Sequence, residues 1–383
     1  MSNTQTLAKP HVKRAVAEAP LTAEQMLGLE NEPNQAMPHA VQTELATPRL
    51  YLEGVTQRSA IEKSLSEMEG ERQAWLLQLP AGTSLGLAGR TGERMNRASA
   101  GTSGVLSTPP SRPEWAGISY QPRVATPFQH GRMRTIKGRT IESYYGVYDN
   151  SDARQVYYPH GYPWCCTGRI FTYTSWPTPN WAWSGSGVLV GPRHVLTAGH
   201  VSPWGSANWA MLFVPAYWDG TSVYGAGASS YVSDYRGWNT NDTVAAYDIS
   251  LLRLFNPLGN QLGWIGTRTY DGGWEGGNYW TLTGYPGSIA GANRPSYQSG
   301  VAVLDDDEDG SAQEIEHHGD SSPGDSGGPM YGFWNDGPHA IGTTSGGERI
   351  TGGIFGIGNE DNNIAAGGGA MVDLVKWGHS NWP

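Results

Sequence analysis

Short apolar runs separated by glycine-rich turns dominate the chain after residue 139. Runs of this kind, bounded by turn signals at short intervals, are typical of strands in sandwiches and barrels. We predict strands at residues 156–158, 167–174, 183–190, 210–214, 249–254, 279–283, 300–304 and 354–357, and a short closing helix at residues 370–377. This pattern indicates an all-β domain over residues 140–383.

The first 139 residues carry a different pattern. Apolar residues recur at helical spacing from Thr56 to Leu79, which predicts a helix. Residues 80–139 are rich in Gly, Ser, Thr, Pro and Arg without periodicity, and we predict a flexible linker there. The linker ends in a basic cluster at residues 131–139, where we expect proteolytic cleavage. Residues 1–139 are therefore predicted to be a pro-segment or a regulatory segment.

Charge separates the same two regions. Residues 1–139 hold 16 of the 25 Lys and Arg and 12 of the 35 Asp and Glu, a net charge of +4. The remaining residues carry 9 basic and 23 acidic groups, a net charge of −14. An acidic region of this size argues against binding to a phosphate backbone, so we expect no nucleic-acid partner.

Membrane and disulfide signals are weak. No apolar run approaches the ~18 residues that a spanning helix needs, so we expect no membrane partner. The chain has 2 cysteines, the adjacent Cys165 and Cys166, which can form only a strained vicinal bridge or remain unpaired. The composition of the later region favours an extracellular protein, although residues 1–6 lack an apolar secretion signal and a cytoplasmic protein is the alternative.

One loop near the C-terminus carries the chemistry. In GDSGGP, residues 324–329, glycines flank Asp325 and Ser326 and allow a sharp turn. Such a turn would present Ser326 as a nucleophile and aim the N–H groups of Gly324 and Ser326 at an oxyanion. The motif resembles the nucleophile motif of chymotrypsin-like and trypsin-like serine proteases.

Two upstream motifs resemble the same family. His200 follows Thr197-Ala198-Gly199, and Asp248 begins the stretch DISLLRL. A serine hydroxyl needs a base, and the base needs a carboxylate to fix its tautomer, so these residues suit a His200, Asp248 and Ser326 triad in the family's chain order. The resemblance covers residues 140–383 and implies a double β-barrel and a serine endopeptidase that uses no metal or other cofactor.

The chain is most similar to the bacterial glutamyl-endopeptidase (V8-like) branch. Residues 151–156, 162–164, 184–192 and 283–287 carry that likeness. The chain departs from the family in two places: Val201 replaces the cysteine of animal trypsins, and GDSGGP is closer to trypsin than to V8 enzymes. In trypsins the residue matching Asp325 pairs with a freed amino terminus, which we expect here as well.

The resemblance also assigns a substrate pocket. Asp320 matches the residue at the bottom of the trypsin pocket, and Thr343, Thr344 and Ser345 match its edge strand. A carboxylate there favours Lys or Arg in the substrate. Glutamyl specificity is the alternative, although Gly342 stands where that branch has a histidine.

Residues 305–316 match the spacing of an EF-hand calcium loop. The flanking residues alternate as strands do, and we predict a hairpin with an acidic turn rather than a calcium site.

The combined prediction is a precursor of a serine endopeptidase that cleaves protein or peptide substrates. Its own segment, residues 1–139, would act as an intramolecular inhibitor or chaperone. Two alternatives remain open: an inactive protease-like binding module, and a regulated intracellular protease with an N-terminal partner-binding segment.

Overall fold

The computed structural model describes residues 18–47, 92–95, 105–126, 135–136, 139–140, 147–148, 152–176, 180–238, 246–350 and 360–383. The predicted helix at residues 56–79 and the predicted strand at residues 354–357 lie outside these ranges, as does most of the basic cluster. The helices are α1 (Ala23–Leu27), α2 (His39–Ala46), α3 (Leu258–Leu262) and α4 (Gly368–Asn381).

Strands make up most of the described chain. In order they are β1 (Glu93–Arg94), β2 (Ser107–Thr108), β3 (Arg123–Thr126), β4 (Thr135–Ile136), β5 (Arg139–Thr140), β6 (Gln155–Tyr158), β7 (Thr167–Tyr173), β8 (Trp183–Gly191), β9 (His194–Thr197), β10 (Ala210–Pro215), β11 (Tyr217–Trp218), β12 (Thr221–Ser222), β13 (Ser230–Gly237), β14 (Ser250–Leu254), β15 (Gly266–Arg268), β16 (Trp280–Gly284), β17 (Ser296–Val301), β18 (Val303–Asp309), β19 (Ala312–His317), β20 (Pro329–Trp334), β21 (Gly337–Ile350) and β22 (Glu360–Gly367).

The first sheet closes on itself as a barrel. Its strands run in the order β13-β10-β7-β8-β9-β14, and β14 pairs back with β13. Closure removes the exposed edges of this sheet. The interior is filled by buried apolar side chains that the strand register places on one face of this sheet, among them Ile170, Leu189, Val195, Phe213 and Leu252.

The second sheet contains the strands that follow β14. Its main path is β18-β19-β22-β21-β20-β16-β17-β6-β3, and β15 pairs with both β21 and β2. Large aromatic rings fill one part of it, with centroids 5.5–5.9 Å apart, namely Tyr270, Trp274, Trp280 and Trp334. The two sheets and the C-terminal α4 confirm the predicted chymotrypsin-like, all-β class.

The predicted linker is partly folded. β1 adds to the barrel as a parallel neighbour of β13, β2 pairs with β15, and β3 pairs with β6. Trp115 and Ala116, which lie between β2 and β3, are buried in the main core. Residues 92–95 and 105–126 are therefore tied to the domain that follows rather than forming a continuous flexible linker. Their backbone N–H and C=O groups are satisfied by neighbouring strands, a contact that composition does not reveal.

The segment at residues 18–47 also packs on the domain. Met26 of α1 and Leu45 of α2 are 3% and 1% exposed. Trp334 donates its indole N–H to the carbonyl oxygen of Glu18 at 2.9 Å, and the N–H of Leu21 donates to Phe333 at 2.7 Å. The segment therefore adds its own apolar residues to the core of the domain.

Two further predictions have outcomes here. β18 and β19 form the predicted acidic hairpin, with Asp309 opposite Ala312. In the described ranges, no group of three or more His, Cys, Asp and Glu residues is arranged to hold a metal ion.

Cys165 and Cys166 are buried, unpaired thiols. No helix among the described residues is both long enough and apolar enough to cross a membrane.

Candidate active site

His200 lies in a single 3₁₀ turn, Gly199–Val201, just after β9 ends at Thr197. β9 pairs with β14 so that Thr197 is opposite Ser250. This register brings the residues after β9 next to the residues before β14, where Asp248 lies. A side chain at Gly199 would come within 3.0 Å of Asp248 Oδ1, so a glycine here lets the two segments approach closely.

Asp248 holds His200 through both of its carboxylate oxygens. Oδ1 accepts the backbone N–H of His200 at 2.8 Å, and Oδ2 lies 2.7 Å from His200 Nδ1. The Asp248 side chain is 2% exposed and that of His200 35% exposed. The imidazole is therefore fixed on one side by a buried carboxylate and is open to solvent on the other.

The charge of Asp248 changes the acidity of His200. Burial alone would lower the pKa of His200, but the hydrogen bond and negative charge of Asp248 outweigh it and raise that pKa above its ordinary value. The imidazolium form is stabilised, as a general base requires when it takes up a proton.

Ser326 lies in a loop between the barrel and the second sheet. Its carbonyl oxygen accepts the N–H of Ser186 on β8 at 2.8 Å, and the N–H of Gly327 donates to Thr344 on β21 at 2.8 Å. Ser186 Oγ also donates to the carbonyl oxygen of Gly324 at 2.7 Å. These bonds fix the loop on both sides of the nucleophile candidate.

Two glycines of this loop have backbones that only glycine adopts easily. Gly324 has φ +107°, and Gly327 has φ +83°. A Cβ at Gly324 would lie 2.4 Å from the carbonyl oxygen of Tyr285. A Cβ at Gly327 would lie 2.8 Å from the backbone nitrogen of Ala198. The loop thus packs directly against the chain that leads into His200.

The structure brings the predicted triad residues into one region. A side chain at Gly185 of β8 would lie 3.0 Å from the carbonyl oxygen of Ser326. The same side chain would lie 2.8 Å from Val201 Cγ2, on the residue after His200. Ser326 and the turn that carries His200 therefore flank the same short stretch of β8.

The pocket candidates have different surroundings. Ser345 donates its hydroxyl to Asp248 Oδ2 at 2.6 Å, which attaches it to the triad region rather than to the pocket floor. Thr344 lines a small pocket together with Asp320, Ser321 and Gly284. Thr343 is buried on β21, opposite Pro329 of β20.

Asp320 is buried and already accepts two hydrogen bonds. Its oxygens accept the N–H groups of Tyr148 at 2.9 Å and Ala153 at 2.6 Å. Burial raises the pKa of Asp320, and these two hydrogen bonds oppose that rise. The carboxylate therefore anchors the chain at residues 148–153 in addition to lining the pocket.

Arg154 is a site residue that the sequence did not single out for a role. Its Nη1 donates to Asp325 Oδ2 at 2.5 Å, where a freed amino terminus was expected. The two residues lie 171 positions apart, so no local spacing signals the contact. The only hint was the likeness of residues 151–156 to the V8-like branch, which carried no role for the arginine.

Comparisons with known proteins found a curated relative that matches part of the chain. A 113-residue stretch is 31% identical to an "Extracellular metalloprotease" of Bacillus subtilis (strain 168), and the match covers 29% of this chain and 36% of that protein. The chain thus spans about a third of the length of this curated relative.

Solved structures with a similar chain path were also found. A Glu endopeptidase in complex with MPD has a TM-score of 0.46 and 19% identity, over 62% of this chain and 100% of that one. The protease Anisep of Arthrobacter nicotinovorans has a TM-score of 0.40 and 20% identity, over 56% and 94%. A model of the trypsin family matches residues 157–359, more than half of the chain, and the protein therefore belongs to the trypsin family.

Proposed function

We propose that the protein is a serine endopeptidase that hydrolyses peptide bonds through an acyl-enzyme. The observation that carries the proposal is the double contact of Asp248 with His200, next to the loop of Ser326, in a trypsin-family chain. In such enzymes the catalytic unit is a buried carboxylate that holds an imidazole, and the imidazole in turn activates a serine.

Each residue has one task in the proposed reaction. Ser326 Oγ attacks the scissile carbonyl carbon while His200 takes up the proton of the Ser326 hydroxyl. The N–H groups of Gly324 and Ser326 stabilise the oxyanion that forms. His200 then protonates the leaving amine. The acyl group is now bound to Ser326 Oγ as an ester. A water molecule, deprotonated by His200, hydrolyses this ester and regenerates Ser326. Asp248 keeps Nδ1 protonated and stabilises the imidazolium throughout.

The finer proposal concerns the substrate. We assign a preference for Arg or Lys at the residue before the cleaved bond, with Asp320 as the acidic pocket residue. Asp320, Asp152 and Asp325 all lie near Arg154, so among the described residues of the pocket region three carboxylates surround one cation. The two N–H donors on Asp320 are neutral, and each carboxylate oxygen can accept a further bond.

Glutamyl specificity is the alternative at this site. It requires a cation for a substrate carboxylate, and His318, which stacks on Tyr148 at 4.2 Å, is the exposed candidate beside Asp320. Steady-state kinetics on peptides that differ only in Arg, Lys or Glu at this position separate the two. Asp320→Asn should lower kcat/KM for the basic peptides and leave the Glu peptide unchanged if the first assignment is right.

We further propose that the protein is made as an extracellular precursor, with cytoplasmic action as the alternative. Residues 1–139 would chaperone or restrain the domain until cleavage within residues 131–139. The burial of Met26 and Leu45 against the domain supports an intramolecular role for this segment. Peptide sequencing of the active form, from culture medium and from cells, tests both points.

The nucleophile has a direct test. Ser326→Ala should abolish peptidase activity and labelling by a fluorophosphonate probe while leaving the melting temperature unchanged. Ser380→Ala, an exposed serine on α4, is the matched control and should behave as wild type. Wild-type protein that folds but neither labels nor cleaves would support an inactive protease-like binding module instead.

A further inference from the structure

The carboxylate of Asp325 is buried directly beside the nucleophile candidate and has a fixed set of partners. It is 5% exposed, and Oδ2 accepts Arg154 Nη1 at 2.5 Å and the N–H of Ser322 at 3.0 Å. On its other side, Oδ1 lies against Gly284, where a Cβ would come within 2.4 Å. The immediate surroundings of this carboxylate are therefore already filled by the chain itself.

Arg154 uses all five of its N–H donors in this cluster. Besides Asp325, Nη1 donates to Ser322 Oγ at 2.9 Å. Nε and Nη2 form a fork with the two oxygens of Asp152 at 2.9 and 2.6 Å, and Nη2 also reaches Ser288 Oγ at 3.3 Å. A guanidinium with every donor satisfied is rigidly oriented.

The cluster joins three segments that meet beneath the loop of Ser326. Arg154 and Asp152 come from the chain before β6, Ser288 from the turn after β16, and Ser322 and Asp325 from the loop itself. Ser288 Oγ and Ser322 Oγ lie 2.8 Å apart, which closes the network. Movement of the Asp325 side chain would break both of these hydrogen bonds to its carboxylate at once, one of them from the charged Arg154.

Burial and charge act against each other at Asp325. Burial raises the pKa of its carboxyl to about 6, and the positive charge of Arg154 opposes the rise. A buried carboxylate without a cation is strongly unfavourable, so this position needs a permanent positive partner. Arginine remains charged at every pH at which the protein is folded.

We propose that Arg154 is the built-in cation of Asp325, and that it positions the Gly324 and Ser326 amides without a freed amino terminus. The inference rests on the proposed peptidase function and concerns how the same site is assembled. Arg154 is a positioning residue, since its contacts are with Asp325 and the loop rather than with the reacting atoms. The oxyanion-binding amides are then formed in the uncut chain as well.

This arrangement limits how residues 1–139 can restrain the enzyme. If the oxyanion-binding loop is already formed, the segment can act on access of a large substrate to the cleft and not on the formation of the loop. Small reagents that need only Ser326 and the oxyanion-binding amides should therefore react before any cleavage.

The first test replaces the cation. Arg154→Gln should lower kcat by about 10²–10³-fold, the loss typical of a disabled oxyanion donor, with little change in KM. Titration of Ser326 with the fluorophosphonate probe corrects kcat for any misfolded fraction. Arg154→Lys, which keeps a positive charge, should recover part of the loss. Arg294→Gln removes an exposed arginine paired with Asp219 and is the matched control, expected to leave kcat unchanged.

The second test asks whether cleavage is needed. In the full chain, Arg132, Arg134, Lys137 and Arg139 are each replaced by Gln to block cutting at the basic cluster. This uncut chain should react with the small probe at the rate of the cut enzyme, and adding Arg154→Gln should slow that reaction.

The outcomes separate the two proposals. Wild-type kcat in Arg154→Gln, or probe reaction that appears only after cleavage, would overturn the role of Arg154 while the peptidase function stands. Activity that survives Ser326→Ala would overturn the peptidase function itself.

Discussion

Ser345 Oγ donates to the same oxygen of Asp248, Oδ2, that lies 2.7 Å from His200 Nδ1. The buried carboxylate is thus held from β21 of the second sheet, while His200, which contacts the same oxygen, follows β9 of the barrel. The orientation of His200 depends on both sheets, and each sheet contributes one side chain to the same buried oxygen.

Removing the charge of Asp248 should slow the enzyme far more than removing the Ser345 hydroxyl. Asp248→Asn disturbs the tautomer of His200 and should lower kcat by about 10⁴-fold. Ser345→Ala removes one hydrogen bond to a charged group, about 1.5–3 kcal/mol, and should cause a much smaller loss. Steady-state kinetics on one peptide substrate compare the two. Equal losses would mean that Ser345 contributes as much as the charge itself.

In the pH profile of kcat/KM, the acidic midpoint should lie above the ordinary pKa of histidine. His200 must be neutral to accept the proton of Ser326, so activity is lost as the pH falls through its pKa. Because Asp248 raises that pKa, the midpoint of kcat/KM should lie above about 6.5. In Asp248→Asn the burial of His200 remains without the opposing charge, and the midpoint of the residual activity should shift to lower pH. Identical midpoints in both proteins would exclude His200 as the titrating base.

A side chain at Gly324 should damage the loop by collision as well as by backbone strain. Gly324→Ala combines φ +107° with a contact at 2.4 Å to the Tyr285 carbonyl oxygen. Gly205 has φ +77° but nothing within 4 Å of its Cβ position, so Gly205→Ala tests the strain alone, about 1–3 kcal/mol. The free energy of unfolding, measured by urea titration, and kcat should both be lower in Gly324→Ala than in Gly205→Ala. Equal destabilisation would show that the collision relaxes without cost.

The N-terminal segment should contribute measurably to the stability of the domain. Met26 is 3% exposed and its neighbour Leu27 is 67% exposed on the same short helix. Met26→Ala should lower the free energy of unfolding by about 2–5 kcal/mol, because it leaves a cavity in the shared core. Leu27→Ala is the matched control and should change it by less than about 0.5 kcal/mol. Similar, small effects of both would mean that the segment detaches before the domain unfolds.

The sequence predicted the parts of the fold and the site that depend on local pattern. Apolar runs located strands such as β7, β8 and β10, and the three motifs that resemble the family were recognisable because His200, Asp248 and Ser326 each lie in a distinctive short stretch. The contact of Asp248 with His200 follows from the register of β9 and β14, and the family resemblance implied it.

Contacts between distant segments were not predictable in the same way. The pairing of β2 with β15 and of β3 with β6 folds a stretch whose composition suggested a linker, because strand pairing satisfies its backbone groups without apolar periodicity. For Asp325 the family resemblance suggests a freed amino terminus as its partner, whereas its carboxylate contacts the guanidinium of Arg154. In both cases the partner lies far away along the chain, where spacing carries no signal.

The strand pairs of β2 and β3 have a consequence for the product of cutting at residues 131–139. The nick would lie after β3, so residues 18–47 and 105–126 would remain attached through hydrogen bonds and buried side chains rather than through the peptide chain. The mature enzyme would then be a two-chain protein: two bands on a denaturing gel and a single species under native conditions.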